Sequence, residues 1–122
     1  MVVPKSLDTN GVSHDAEYCQ TLMTDPLYQH SITFGTAKNL LDQTYWIYSN
    51  LQNWPKEVPY NLHLATADVV VDHNAGKEFS YKTSSYHRSN LVYYYEGARH
   101  ALKAETDEFK SPFVSNVCSF LQ

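Results

Sequence analysis

Residues 91–105 read LVYYYEGARHALKAE, and this stretch decides the fold. Its first five residues are leucine, valine and tyrosines, a composition typical of a buried strand. The apolar run ends before Gly97, and His100 follows three residues beyond that glycine. A histidine just past the end of a buried strand is well placed to carry a proton, because imidazole titrates near neutral pH. The stretch therefore predicts a strand over 91–95 that ends at a candidate active-site loop.

The second half of the chain alternates between strand-like and helix-like patterns. Residues 60–65 indicate a short strand, and residues 74–83 indicate a helix with Asp72 as its candidate N-cap. The last helix is predicted to begin at Ser111 and Pro112, a capping serine with proline in the first turn, and to be well buried. Strands joined by helical crossovers build a parallel sheet. Because only two strands are visible, the pattern predicts one edge of a larger α/β sheet.

The first half of the chain gives weaker signals. Residues 1–13 show no periodicity and are predicted to form a loop. A short helix is expected over 14–24, with Ser13 as its N-cap. A second helix is expected to start at Thr36, its candidate cap, and to end before Trp54. The apolar residues of this second helix recur at spacings of three and four, which predicts one apolar face.

The composition argues against several classes of function. A chain of 122 residues is at most one domain, and its net charge of −4 argues against a nucleic-acid-binding surface. No apolar run approaches the ~20 residues that a transmembrane helix needs. The two cysteines, Cys19 and Cys118, lack metal-ligand spacing, so we expect reduced thiols. We also expect neither a metal nor a cofactor. A cytoplasmic protein is expected, with peripheral attachment to membranes or lipid droplets as an alternative.

Asp68 follows the first predicted strand closely, as His100 follows the second. Asp68 and His100 are separated by one helix and one strand, a single right-handed crossover unit. Adjacent strands lie about 4.8 Å apart, so loops at the same sheet edge can bring the two side chains into contact. A carboxylate there would hold the imidazole in one tautomer and stabilise the imidazolium. Asp68 and His100 are therefore candidate catalytic residues, in the order that α/β-hydrolases use.

Four short motifs resemble one family. They are Thr66-Ala67-Asp68, the YEGARH of residues 95–100 with Glu105 downstream, the SHDAEYC of residues 13–19 and the TDPL of residues 24–27. Together they resemble the C-terminal part of the monoacylglycerol lipase family of serine hydrolases, and the last two resemble the segment that follows the cap in fungal members. The likeness extends over residues 13–121, and the YEGARH stretch is its most specific motif.

This resemblance implies a fold and a reaction. The fold would be a partial α/β-hydrolase fold, with residues 1–36 as a segment of loops after the cap and residues 37–122 as the C-terminal portion of a single incomplete domain. Asp68 would be the acid of the catalytic triad and His100 its base. The reaction would be hydrolysis of monoacylglycerols or lysophospholipid-like esters through an acyl-serine intermediate, with a lipid ester as the substrate.

The sequence departs from that family at the nucleophile. The family carries a G-x-S-x-G elbow, and this sequence contains none. The nearest candidate, residues 11–15, reads GVSHD and lacks the second glycine. In the strand before Asp68, the polar residues Asn61 and His63 occupy positions that the family keeps apolar, and Ala65 stands in place of a glycine. We therefore expect the chain to carry the triad acid and base without the serine, and to be inactive alone.

Three interpretations of function stay open at this point. The chain is the C-terminal portion of a lipase-like enzyme, either truncated or one part of a split protein, with a second copy or a complementing chain supplying the missing strands. Alternatively it is a non-enzymatic remnant, or a module that binds lipid or a partner. The remotest interpretation makes His100 a phosphotransfer histidine on a helical bundle, which the strand signals oppose. Whether the chain is itself an enzyme is left open by the sequence.

Overall fold

The computed structural model describes residues 2–4, 9–28, 31–55, 57–84 and 91–122. Within these residues lie four α-helices: α1 over Ala16–Thr24, α2 over Phe34–Ser49, α3 over His73–Ser84 and α4 over Asp107–Phe120. The strands in the same residues are β1 over Val2–Pro4, β2 over Ser31–Thr33, β3 over Asn61–Ala65 and β4 over Leu91–Tyr95. Short 3₁₀ helices lie at Thr9–Gly11, Leu51–Asn53 and Leu102–Ala104. None of the helices in this part of the chain combines the length and apolarity needed to cross a membrane.

Strands β3 and β4 form the parallel pair that the sequence predicts. They pair in register over all five residues, and α3 makes the crossover between them. Asp72 caps α3 as predicted, since its Oδ1 accepts a hydrogen bond from the backbone N–H of Asn74 at 2.9 Å. Helix α3 approaches β3 closely, because a Cβ on Gly76 would lie 2.5 Å from Cδ2 of Leu64. The prediction of a two-stranded parallel edge flanked by helices is confirmed.

A second pair of strands was not predicted. Strand β1 pairs antiparallel with β2, so the prediction that residues 1–13 form a loop is wrong at Val2–Pro4. Each of these strands has three residues, which is too short for a period-two pattern to be recognised. Helix α2 follows β2 directly and begins at Phe34. Its N-cap is Thr33, whose hydroxyl accepts from the backbone N–H of Thr36 at 3.1 Å, so the predicted cap at Thr36 is wrong.

Helix α1 begins two residues later than predicted. Asp15 caps it, because the Asp15 carboxylate accepts from the backbone N–H of Tyr18 at 2.9 Å. Ser13, the predicted cap, instead donates its hydroxyl hydrogen bond to the carbonyl oxygen of Ala104 at 2.7 Å. A contact over 91 residues of sequence therefore displaces the start of this helix.

Helix α4 begins earlier than predicted. Its N-cap is Thr106, and Ser111 and Pro112 lie inside the helix. Asp107 and Glu108 occupy the first turn, where carboxylates interact favourably with the helix dipole. Proline has no N–H, so the helix continues through Pro112 at the cost of one backbone hydrogen bond.

The core is small and lies at the carboxyl ends of β3 and β4. The buried cluster and the rings that pack against it are Ala65, Tyr95, Ala98, Leu102, Tyr93, Phe109 and Phe113. The prediction that α4 is well buried is wrong, because none of its side chains is buried. The apolar stripe of α2 also lies at the surface, where Leu41 is 72% exposed. Burial is therefore concentrated beside the loops that follow the two parallel strands.

Candidate active site

The structure brings the two predicted site residues together. Asp68 follows β3 and His100 follows β4, and Asp68 Oδ2 lies 2.9 Å from His100 Nδ1. The Asp68 side chain is 7% exposed and the His100 side chain is 39% exposed. A carboxylate can only accept, so Nδ1 of His100 carries the proton and Nε2 is left as the basic nitrogen. The pair thus has one buried acidic member and one accessible basic member.

The carboxylate of Asp68 is held on both of its oxygens. Its Oδ1 accepts from the backbone N–H groups of Val70 at 2.8 Å and Val71 at 3.0 Å, which leaves Oδ2 for the imidazole. Burial by itself would raise the pKa of Asp68, but the hydrogen bonds from His100 and from these two backbone groups outweigh burial and lower its pKa below the ordinary value. Asp68 is therefore a fixed negative charge at neutral pH.

A threonine joins the loop of Asp68 to the loop of His100. The hydroxyl oxygen of Thr66 accepts from the backbone N–H of Gly97 at 2.8 Å. The backbone N–H of Ala67 donates to the carbonyl oxygen of Ala98 at 3.0 Å. Gly97 has φ of +82°, a conformation that favours glycine, so the break in the apolar pattern marks the turn that delivers His100. Sequence analysis identified the glycine and did not predict the role of Thr66.

Ser13, the nearest candidate for a nucleophile in the sequence, is not placed as one. Ser13 is 1% exposed, and its hydroxyl donates to Ala104 O and lies 3.3 Å from Oε2 of Glu105. His14 also faces Glu105, with Nδ1 3.0 Å from Oε1. The two residues share a carboxylate rather than facing each other. This serine, histidine and glutamate therefore form a structural cluster, in which the serine hydroxyl faces a carbonyl oxygen and a carboxylate and not an imidazole.

A second histidine lies beneath the site. The hydroxyl of Tyr95 lies 2.8 Å from Nδ1 of His63 and accepts a hydrogen bond from Nδ2 of Asn116 at 3.0 Å. His63 stacks on Tyr93 with ring centroids 5.1 Å apart, and burial lowers its pKa. Phe113 meets the same imidazole edge-on. His63 thus lies among aromatic rings with one tyrosine hydroxyl on Nδ1, while its Nε2 is buried without a hydrogen-bond partner among the described residues.

A cavity of about 520 Å³ opens beside His100. Its lining is mostly apolar and includes Val12, Leu22, Val70 and Phe113 together with His63. Within the described residues, no group of three or more histidine, cysteine, aspartate or glutamate side chains could hold a metal ion. His100, with the Asp68 carboxylate on its Nδ1, is therefore a candidate base at this cavity.

The location of His100 contradicts one alternative. His100 lies in the loop between β4 and the 3₁₀ helix at Leu102–Ala104, and the strand before it pairs in parallel with β3. A phosphotransfer histidine on a helical bundle requires a helix at this position. That interpretation of the sequence is wrong.

Comparisons with known proteins agree with this architecture. The chain superposes on a soluble variant of monoglyceride lipase from Saccharomyces cerevisiae, in complex with a substrate analogue, with a TM-score of 0.88, 20% identity and coverage of 99% of this chain and 43% of that one. It superposes on monoacylglycerol lipase from Paleococcus ferrophilus with a TM-score of 0.89, 16% identity and coverage of 99% and 45%. The chain thus spans less than half the length of these two relatives, and the partial α/β-hydrolase fold that the sequence predicts is confirmed.

The sequence itself matches a family model. No curated protein matches it significantly. The model of the family described as serine aminopeptidase, S33, matches residues 1–107, a range that contains Asp68, His100 and Glu105. Because this match extends over most of the chain, the protein belongs to the serine aminopeptidase S33 family of hydrolases.

Proposed function

We propose that Asp68 and His100 are the acid and base of the triad of a serine hydrolase that cleaves carboxylic esters of glycerol. The observation that carries the proposal is the 2.9 Å contact between Asp68 Oδ2 and His100 Nδ1 at the carboxyl ends of two adjacent parallel strands. The family of the chain and the monoglyceride lipases that share its fold support this assignment. Monoacylglycerols and lysophospholipid-like esters are the proposed substrates.

The proposed reaction follows from the orientation of the imidazole. Nε2 of His100 would take the proton of a serine hydroxyl while the serine oxygen attacks the ester carbonyl. The same proton would then pass to the departing glycerol oxygen, which leaves an acyl-serine that water hydrolyses by the same route. Asp68 would stabilise the imidazolium formed at each step. The mostly apolar cavity beside His100 is compatible with a lipid ester.

The nucleophile of this reaction is not assigned to any serine of these residues. The sequence has no G-x-S-x-G motif, and Ser13 is buried with its hydroxyl bonded to Ala104 O. We therefore propose that the 122 residues alone have no esterase activity and that the acid and base act on a serine outside them. A fluorophosphonate probe should label no serine of the purified chain, and covalent labelling would overturn this part of the proposal.

A chimaera tests the proposal directly. The part of the Saccharomyces cerevisiae monoglyceride lipase that has no counterpart in this chain would be joined to residue 1. The chimaera should hydrolyse monoacylglycerol and react with the fluorophosphonate probe, and it should cleave an aminoacyl anilide more slowly. His100→Ala should abolish both activities.

The control variant in the chimaera is Tyr81→Phe. Tyr81 lies on α3, is 81% exposed and lies outside the proposed triad, so its replacement should leave the reaction in place. A folded chimaera in which His100→Ala retains the activity of the parent would show that His100 is not the base. Faster cleavage of the anilide than of the ester would show that the substrate is an aminoacyl compound and not a lipid ester.

A further inference from the structure

Glu105 is the largest side chain that is fully buried in the described residues, with 0% exposure. A buried carboxylate is costly unless hydrogen bonds and a nearby positive group compensate for the lost water. Glu105 lies five residues after His100, directly after the 3₁₀ helix at Leu102–Ala104. Its surroundings indicate why a carboxylate is kept at this position.

The carboxylate of Glu105 accepts hydrogen bonds from two parts of the chain, the segment before α1 and the residues on either side of the 3₁₀ helix at Leu102–Ala104. Oε1 accepts from the backbone N–H of Arg99 at 2.7 Å and lies 3.0 Å from Nδ1 of His14. Oε2 accepts from the backbone N–H of His14 at 2.8 Å, and the hydroxyl of Ser13 and the N–H of Thr106 lie 3.3 Å away. One carboxylate thus joins the loop of His100 to the segment that precedes α1.

The backbone is held on both sides of His100, and Glu105 holds the side that precedes it. The N–H of Arg99 is held by Glu105, and the Arg99 guanidinium donates to the carbonyl oxygen of Ser13 at 2.9 Å. On the other side, the N–H of Ala101 donates to the carbonyl oxygen of Val12 at 2.9 Å. Asp68 therefore holds the imidazole. Glu105 with Ser13 and His14, called the Glu105 cluster below, holds the backbone at Arg99, immediately before His100.

The protonation state of Glu105 agrees with this arrangement. Burial would raise its pKa, but the hydrogen bonds from His14 and from the backbone of Arg99 outweigh burial and lower the pKa below the ordinary value. The group is therefore an ionised acceptor at neutral pH, and ionised acceptors form the shorter and stronger hydrogen bonds.

We propose that Glu105 is a positioning residue for His100, which through the backbone N–H of Arg99 keeps the imidazole in line with Asp68. This inference rests on the proposed function, because it assigns Glu105 a role in the geometry of the proposed base. Without the carboxylate, the loop would lose its anchor to Ser13 and His14, and Nδ1 of His100 would no longer be held on Asp68.

The test is the tautomer of His100, measured by NMR on the 122-residue chain labelled with ¹⁵N-histidine. The wild-type chain should show a protected Nδ1–H resonance that His100→Ala removes. Glu105→Gln should lose this resonance and give a mixture of tautomers, while the backbone amides of β3 and β4 keep their dispersion. If Glu105→Gln does not fold, replacing the Arg99 backbone amide by an ester removes the N–H donor while every side chain stays in place, and the same result is expected.

Two control variants separate positioning from general destabilisation. Tyr81→Phe changes a side chain on α3 that is 81% exposed, and Thr83→Ala removes a buried hydroxyl on the same helix, outside the Glu105 cluster. Both should retain the His100 resonance. If a folded Glu105→Gln chain or the ester variant keeps the wild-type resonance, the positioning role is refuted.

The same variant in the chimaera distinguishes the two proposals. Glu105→Gln should lower kcat by about 100-fold with KM unchanged, as expected for a displacement of the base by about 1 Å. An unchanged kcat in Glu105→Gln with full loss of activity in His100→Ala would refute only the role of Glu105. If the wild-type chain shows no Nδ1–H resonance for His100 and His100→Ala leaves the chimaera active, the proposed function itself fails.

Discussion

Tyr95→Phe is expected to destabilise the chain, because the hydroxyl of Tyr95 connects two polar side chains within the aromatic cluster. This hydroxyl lies 2.8 Å from Nδ1 of His63 and accepts from Nδ2 of Asn116 at 3.0 Å. Since the Asn116 amide is a donor, the tyrosine proton is free to be donated to His63, and the hydroxyl serves both neighbours. Phenylalanine would keep the ring in the core and leave both neighbours without that partner.

The magnitude follows from the number of partners lost. A buried polar group that loses its hydrogen bond costs about 1–3 kcal/mol. Two groups are affected, and both His63 and Asn116 are half-buried, so the lower part of the range applies to each. We expect the free energy of unfolding to fall by about 2–4 kcal/mol in total. That is a large fraction of the roughly 5–15 kcal/mol by which domains are stable.

The assay is urea unfolding at neutral pH with Tyr94→Phe as the matched control. Tyr94 precedes Tyr95 on β4 and is 50% exposed, whereas Tyr95 is 6% exposed. The control should change stability by no more than about 0.5 kcal/mol. A double-mutant cycle with His63→Leu should give a coupling energy of about 1 kcal/mol or more. A loss below about 0.5 kcal/mol in Tyr95→Phe, or equal losses in the two tyrosine variants, would refute the reasoning.

Three further perturbations test the site and its supports. Stability should fall as the pH decreases below 6.5, because the pKa of the half-buried His63 is lowered in the fold and the unfolded chain therefore binds a proton that the folded chain does not. It should fall further below 4.5 and 3.8, the ordinary pKa values of Glu105 and Asp68, because both pKa values are lowered in the fold. Urea titrations from pH 8 to pH 3 measure this, and a pH-independent midpoint would contradict it. Thr66→Val should cost about 1 kcal/mol, because the N–H of Gly97 loses its acceptor; unchanged hydrogen exchange at that amide would argue against this. Gly97→Ala should lower the free energy of unfolding by about 1–2 kcal/mol because φ is +82°. A Cβ there would meet no atom within 4 Å, so the whole cost comes from the backbone conformation. A neutral effect in thermal unfolding would show that the backbone relaxes to another conformation.

Local signals account for the parts of the fold that were predicted. The strand before His100 and the strand before Asp68 can each be recognised from the residues of that strand alone. The glycine after β4 marks a turn that needs a positive φ. The contact between Asp68 and His100 then follows from the regular spacing of parallel strands. The catalytic role of the two residues stays a prediction.

Long-range contacts account for what the sequence did not predict. Ser13 has the residue type of an N-cap, but its hydroxyl donates to Ala104, so Asp15 caps α1 instead. An apolar stripe on a helix identifies one face and does not determine whether another element covers it, and for this reason the burial of α4 was overestimated. Glu105 was recognised only as part of a motif, because its partners Ser13 and His14 lie about ninety residues away in the sequence.

The distribution of buried groups limits how any of these variants can be interpreted. The largest fully buried side chains are Glu105, Thr83 and Ser13, all polar, while apolar residues such as Leu41 lie at the surface. Removing one partner of a buried hydrogen-bonded group is strongly destabilising, whereas trimming an exposed apolar side chain costs little. Two of these buried polar residues, Glu105 and Ser13, contact the loop of His100, so substitutions there lower stability and disturb the proposed base together. Loss of activity alone therefore cannot assign a role to Glu105, and the tautomer of His100 in a folded variant is the measurement that can.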